Sequence, residues 1–239
     1  MPLAAEPDGP VEVPDAVRRI APDAVAVWRN ALGGLTFRAA DRFLKWNPAG
    51  TGISLDVERE RLAWARPHHP VPEVLDFVSA EDGELLVTRA LPGEGAVTRR
   101  WKAEPRAAVR AIGEGLRALH ENLPLDAIPY DWSVATRLAV AGTDADAARL
   151  GPTPEIDLLV VCHGDPCAPN TIIGDDGRWV GHVDLASLGA ADRWADLAVS
   201  SMSLGWNYGD GWEPEFFAAY GIAPDADRIR FYRELWDAT

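Results

Sequence analysis

The pattern of apolar and polar positions divides the chain into a strand-rich first part and a helix-rich remainder. Val25–Trp28 is a short apolar run followed by the turn-like Asn30-Ala31-Leu32-Gly33-Gly34. Leu35–Ala39 and Arg42–Trp46 flank a tight turn at Ala40-Asp41, the pattern of a β-hairpin. Ser54 is placed to cap a helix over Leu55–Ala65, which Pro67, Pro70 and Pro72 end. Val74–Ser79 and Glu84–Arg89 predict a second hairpin around Asp82-Gly83. Beyond Leu91-Pro92-Gly93, Val109, Ile112, Leu116 and Leu119 recur at helical spacing and predict a helix over Glu104–His120. A further helix is expected near Ser133, and a loop over the acidic, Pro- and Gly-punctuated stretch Gly142–Asp157. Leu158–Cys162 reads as a strand, and Thr171–Ile173 with Trp179–Val183 as a hairpin. Trp194–Leu204, Glu213–Tyr220 and Asp225–Trp236 read as helices. The expected organisation is α+β: a polar lead-in over 1–23, a small antiparallel lobe over 24–90 and a larger helical lobe over 91–239.

Composition narrows the partners. The 239 residues carry 37 acidic and 23 basic side chains, a formal net charge of −14. That excess opposes binding to nucleic acid or anionic membrane and suits a cationic partner. Only Lys45 and Lys102 are lysines among residues otherwise committed to arginine, which singles them out as sites wanting a compact ammonium. Two cysteines, Cys162 and Cys167, provide no disulfide framework, and both read as small apolar residues. The Pro-rich acidic start lacks the apolar core of a signal peptide and no apolar run reaches membrane-span length, so a cytoplasmic location is expected.

The densest polar cluster is His163-Gly164-Asp165-Pro166-Cys167-Ala168-Pro169-Asn170, after a buried-looking strand. A hairpin then returns the chain, so that Asp184 can converge with Asp165 and Asn170. One carboxylate suits a general base, and an amide oxygen with a second carboxylate suits a hard cation such as Mg²⁺. His-x-Asp, four residues, Asn, and a later Asp follow the order of a kinase catalytic loop and metal-binding aspartate. The upstream parts of that template are also present. Lys45 lies on a strand, Glu60 is mid-helix fifteen residues later, and Gly33-Gly34 lies between the first two strands.

With those residues in view, the chain resembles the aminoglycoside phosphotransferases of the group acting on 3′- or 3″-hydroxyls. The resemblance rests on Val160–Asn170, Gly181-His182-Val183-Asp184-Leu185, Ala191–Ala198, Phe43-Leu44-Lys45-Trp46 and Asp56–Arg61. It implies a bilobal, protein-kinase-like fold using ATP or GTP with Mg²⁺ to phosphorylate an aminoglycoside, an antibiotic-resistance activity. Asp165 would deprotonate the hydroxyl, Asn170 and Asp184 would hold Mg²⁺, and Lys45 with Glu60 would place the phosphates. Gly33 and Gly34 would cover the phosphates, and the backbone around Thr88–Ala90 would pair with the base. Asp131, Asp144, Asp146, Glu155, Asp157 and Asp237 are the candidate acidic contacts to the cationic sugar of a monomeric or homodimeric enzyme. The chain departs from the family at Ala186, where glycine is usual, and at Ser187, where arginine is frequent.

Three other readings are compatible with these residues. A kinase of the same fold could act on another hydroxylated metabolite or antibiotic. The pairs His163-x-Asp165 and His182-x-Asp184 could instead ligate Zn²⁺ or Mn²⁺ in a hydrolase, and Ala186 and Ser187 could mark a silent nucleotide-binding relative. Within the kinase reading both histidines are structural, and Asp192 with Arg193 forms an ion pair steadying the loop after Asp184.

Overall fold

The computed structural model describes residues 4–5, 7, 9–142 and 150–239. The chain forms two compact units, Met1–Pro67 with Pro72–Ala90, and His68–Val71 with Leu91–Thr239. Among the described residues, no helix is long and apolar enough to cross a membrane.

The first unit contains β1 (Ala4–Ala5), α1 (Asp15–Ile20), β2 (Val25–Asn30), β3 (Leu35–Ala39), β4 (Arg42–Pro48), α2 (Leu55–Ala65), β5 (Val74–Ala80) and β6 (Gly83–Arg89). Its strands make one six-stranded antiparallel sheet in the order β1-β2-β3-β4-β6-β5. Two-residue periodicity sends Phe37, Leu44, Leu85 and Val87 into a core with Ala16 and Val17 of α1. Lys45, opposite Thr36 and Leu86 in the ladder, therefore points to the other face, where α2 packs. The amino end of α2 is satisfied differently from expectation. Ser54 makes no side-chain cap, and Glu84 of β6 accepts from the Leu55 amide at 2.6 Å. A carboxylate there also meets the positive end of the helix dipole.

The polar lead-in expected over 1–23 is not a separate segment. It contains α1, and Val17 is fully buried. Six residues after a proline are too few to show helical periodicity, so this element has no sequence signature beyond Ala16 and Val17 themselves.

The second unit begins with β7 (Glu94–Gly95), α3 (Arg99–Ala103) and α4 (Pro105–Asn122), followed by a 3₁₀ turn and α5 (Val134–Ala141). Then come β8 (Leu159–Cys162), β9 (Thr171–Ile173), β10 (Trp179–His182), β11 (Gly189–Asp192), α6 (Trp194–Tyr208), α7 (Glu213–Tyr220) and α8 (Ala226–Ala238). Helix α4 is the axis of its core: Val109, Ile112 and Leu116 pack with Trp101, Leu197, Phe216 and Leu235. Gly113 permits a close approach of α7, because a Cβ there would lie 2.8 Å from the Phe216 carbonyl oxygen. Two small sheets, β10-β9-β7 and β11-β8, bracket the 163–170 loop. The segment His68–Val71 joins this unit through the His182 amide, which donates to Pro70 O at 3.1 Å.

Val17→Ala should lower unfolding stability by about 2 kcal/mol, the loss from deleting two buried methyls and leaving a void. Urea denaturation measures this, and an unchanged midpoint would place α1 outside the core.

Candidate active site

Chain geometry brings three of the predicted residues together at the carboxyl end of β8. Gly164 has φ +85°, and a Cβ on it would lie 2.1 Å from Ser187 O, so only glycine allows this turn against the loop after Asp184. Buried Asp196, on α6, holds the loop from behind. Its Oδ2 accepts from the His163 amide at 2.6 Å and its Oδ1 from the Gly164 amide at 3.0 Å. Since the Asp165 amide donates to His163 Nδ1 (3.3 Å), the imidazole hydrogen sits on Nε2, which donates to Val183 O (3.0 Å). His163 thus ties the backbone at Asp165 to the residue before Asp184.

Asn170 is positioned by the same means. Its Nδ2 donates to Asp165 O at 2.9 Å and its carbonyl accepts from the Val183 amide at 3.0 Å, leaving Oδ1 as the ligating atom of the amide. Asp184 adopts φ +63°, a left-handed conformation that a non-glycine residue adopts at a cost in strain. Burial and the neighbouring charge of Asp184 push the Asp165 carboxyl upward in pKa. Asp165 Oδ1 is shielded from solvent and accepts no hydrogen bond within the protein. Two carboxylates that repel each other, beside an amide oxygen, form an all-oxygen donor set suited to a hard divalent cation. The residues therefore fit Mg²⁺.

In the first unit, Lys45 Nζ pairs with Glu58 Oε2 at 2.7 Å. This corrects the expected pairing with Glu60, which is exposed and ion-pairs with Arg59. Glu58 lies on the buried stripe of α2 with Leu55, Leu62 and Ala65, whereas Glu60 is two residues round the helix. The spacing of that stripe is the signal that separates the two glutamates in sequence. Gly33, at φ +87°, and Gly34 form the β2–β3 turn, which Asn30 Oδ1 holds by accepting from the Leu32 and Gly34 amides (3.0 and 2.7 Å). Thr88 is within β6, while the Ala90 amide donates to Asp41 O at 2.8 Å, so the carbonyl is what Ala90 can offer a base.

The candidate acceptor contacts divide. Asp131 accepts from Ser133 and Thr136 at the start of α5, and this local capping holds its carboxyl below the usual range. Asp157 accepts from Arg193 and from Trp194 Nε1. Both carboxylates are thus engaged in holding the fold. Glu155 and Asp237 are exposed, and Asp144 and Asp146 lie outside the described residues. The expected Asp192–Arg193 pair is also corrected. Arg193 bridges to Asp157, and Asp192 to Arg228 at 3.0 Å.

Neither His-x-Asp pair forms a transition-metal centre. Both His163 nitrogens are committed, and His182 Nδ1 shares a hydrogen with His69 Nε2 at 2.9 Å. Among the described residues, the His/Cys/carboxylate cluster with metal-like spacing is instead His120, Cys162 and Asp196. There His120 and Asp196 already hydrogen-bond each other, and burial pushes the Cys162 thiol upward, away from the thiolate a metal needs.

A loop presenting an aspartate, an asparagine and a following aspartate, in a chain whose antiparallel sheet carries a lysine paired with a helix glutamate, defines a phosphotransferase of the bilobal α+β kinase-like class. The chain belongs to the phosphotransferase enzyme family, which matches residues 23–232. It is 34% identical to the streptomycin 3″-kinase of Streptomyces griseus over 95% of this chain and 96% of that protein. It is also 34% identical to the aminoglycoside 3′-phosphotransferase of Streptomyces fradiae, over 79% of this chain and 81% of that one. The solved aminoglycoside phosphotransferase APH(3″)-Id of Streptomyces rimosus, in complex with ADP and streptomycin, is similar with a TM-score of 0.74. That match has 31% identity and covers 93% of this chain and 96% of that one.

Burial of His69, with the neighbouring imidazoles of His163 and His120 acting in the same direction, pushes its pKa down to about 4. An unfolded histidine titrates near 6.5, so the unfolded state binds more protons between these values and stability falls as pH falls through that window. From pH 7 to pH 5 this group alone should remove about 2 kcal/mol. Urea titrations of wild type and His69→Gln at both pH values measure it, the variant losing less stability than wild type by roughly that amount.

Proposed function

We propose that the protein is a nucleotide-dependent O-phosphotransferase that transfers the γ-phosphoryl group of ATP or GTP to a 3′- or 3″-hydroxyl of an aminoglycoside. Streptomycin is the first acceptor to test. The carrying observation is the 163–170 loop, where Asp165 keeps an unpartnered, water-shielded carboxylate oxygen beside Asn170 and Asp184. Near full-length similarity to a streptomycin 3″-kinase supports the choice of acceptor, and the net charge of −14 suits a cationic one. Phosphorylating the drug within the cell would make this a resistance activity.

In this reading Asp165 orients the acceptor hydroxyl and takes its proton as the new O–P bond forms and the nucleoside diphosphate leaves. Its upward-shifted carboxyl is a stronger base than an exposed aspartate. Asn170 Oδ1 and the Asp184 carboxylate hold Mg²⁺, which when bound neutralises phosphate charge. Lys45, aligned by Glu58, binds the nucleotide phosphates. The β2–β3 turn at Gly33-Gly34 covers them, and the Thr88–Ala90 backbone meets the base. No covalent enzyme intermediate is needed, because phosphoryl transfer is promoted by positioning and charge compensation. Of the candidate carboxylates described, Glu155 and Asp237 are the exposed ones outside the capping and ion-pair contacts that engage Asp131 and Asp157, and they are the ones offered to a cationic sugar.

Incubation with Mg²⁺–ATP and streptomycin, kanamycin or neomycin, with mass spectrometry and NMR mapping of the product, tests this reading. A single phosphomonoester on streptomycin is expected. Nucleotide binding without transfer to any of the three would redirect the search to another hydroxylated acceptor. Asp165→Asn should lower kcat by at least about a thousandfold while nucleotide affinity changes by less than about threefold. Glu58→Gln should raise KM for ATP about tenfold, whereas Glu60→Gln should leave it within about twofold. The opposite order would return the lysine's partner to Glu60.

A further inference from the structure

Asp196 raises a question that its two amide contacts do not answer: what fixes a wholly buried carboxylate? Its Oδ2 also accepts from His120 Nε2 at 3.0 Å, and His120 Nδ1 is 2.9 Å from the Tyr220 hydroxyl. His120 sits in the last turn of α4 and Tyr220 at the end of α7. The two helices are held close by the missing side chain of Gly113. All three polar side chains are at least nine-tenths buried. Burial keeps the Tyr220 hydroxyl protonated, with its pKa pushed up to about 12. The hydroxyl and the carboxylate thus hold the imidazole at both nitrogens.

We infer that His120 is a positioning residue: its Nε2–H fixes Asp196, which clamps the His163 and Gly164 amides and so sets the place of Asp165. This rests on the phosphotransferase reading for its kinetic consequence but on geometry alone for the clamp. Other charged or titratable groups facing this cluster are Arg137, Cys162, Arg193 beside the Tyr220 hydroxyl, and the imidazoles of His69 and His182. The side-chain hydrogen bonds of Arg137, Cys162, Arg193 and the two histidines go to groups other than the Asp196 carboxylate. Without His120 the carboxylate would keep only its two backbone donors, and the loop would lose the anchor that resists a displacement. Displacements of about 1 Å at a reacting group can cost about a hundredfold in rate.

The test compares wild type, His120→Phe, His120→Gln and His120→Asn. A glutamine amide can donate from the position of Nε2, an asparagine amide cannot, and phenylalanine keeps the volume with no donor. For Phe and Asn, kcat with Mg²⁺–ATP and streptomycin should fall at least about tenfold, with both KM values within about twofold. Amide hydrogen exchange in the peptide spanning 160–166 should accelerate in step. Gln should restore most of kcat and the slow exchange. Equal behaviour of Gln and Asn, or wild-type exchange and kcat in His120→Asn, would overturn the inference. If Phe does not fold, the Gln–Asn pair decides. If wild type phosphorylates none of the acceptors, the functional reading fails, and the exchange measurement still decides the clamp.

Discussion

One buried carboxylate organises the second unit. Asp196 takes both backbone amides at the start of the 163–170 loop, and everything chemically useful in that loop follows from their placement. His163 is oriented by the turn this creates and passes the constraint to Val183. Asn170 closes the loop on Asp165 O. A polar group in such a place is costly unless its partners are all supplied, and here two come from the loop and one from His120 of α4. The energetic demand of a buried charge and the geometric demand of a reacting carboxylate are met by the same hydrogen bonds.

Two carboxylates placed near each other in a shielded site repel, and that repulsion is an asset when the ligand is a cation with a polyanion attached. Asp165 is left with an unpartnered oxygen and a raised pKa. Asp184 is held in a left-handed conformation, and three residues later Ser187 packs against Gly164. The first unit meets the opposite demand, with a lysine whose ammonium is kept in place by a buried glutamate. The surplus negative charge of the chain is partly spent on structure, as Asp131 and Asp157 show by their engagement in capping and ion pairing.

Much of this is legible in the sequence, and unevenly so. The hairpins were readable because tight turns interrupt apolar runs, and α4 because its apolar residues repeat every three or four positions. The loop from His163 to Asn170 was readable because its polar residues are dense and its order specific. What escaped was set by packing across the chain. Helix α1 is too short to show a period, and the cap of α2 comes from Glu84, far away in sequence. Glu58 and Glu60 are both mid-helix in sequence, and only the stripe Leu55, Leu62, Ala65, which marks the buried face of α2, separates them. The ion pairs of Asp192 and Arg193 depend on α8 and on the loop before β8, which no local pattern relates.

The measurement that tests the account most directly is a crystal structure of the protein with Mg²⁺, a nonhydrolysable ATP analogue and streptomycin. The account predicts one acceptor hydroxyl within hydrogen-bond reach of the Asp165 carboxylate, with the metal bound by Asn170 and Asp184. An acceptor whose hydroxyls all lie away from Asp165, or a metal held by other side chains, would contradict it.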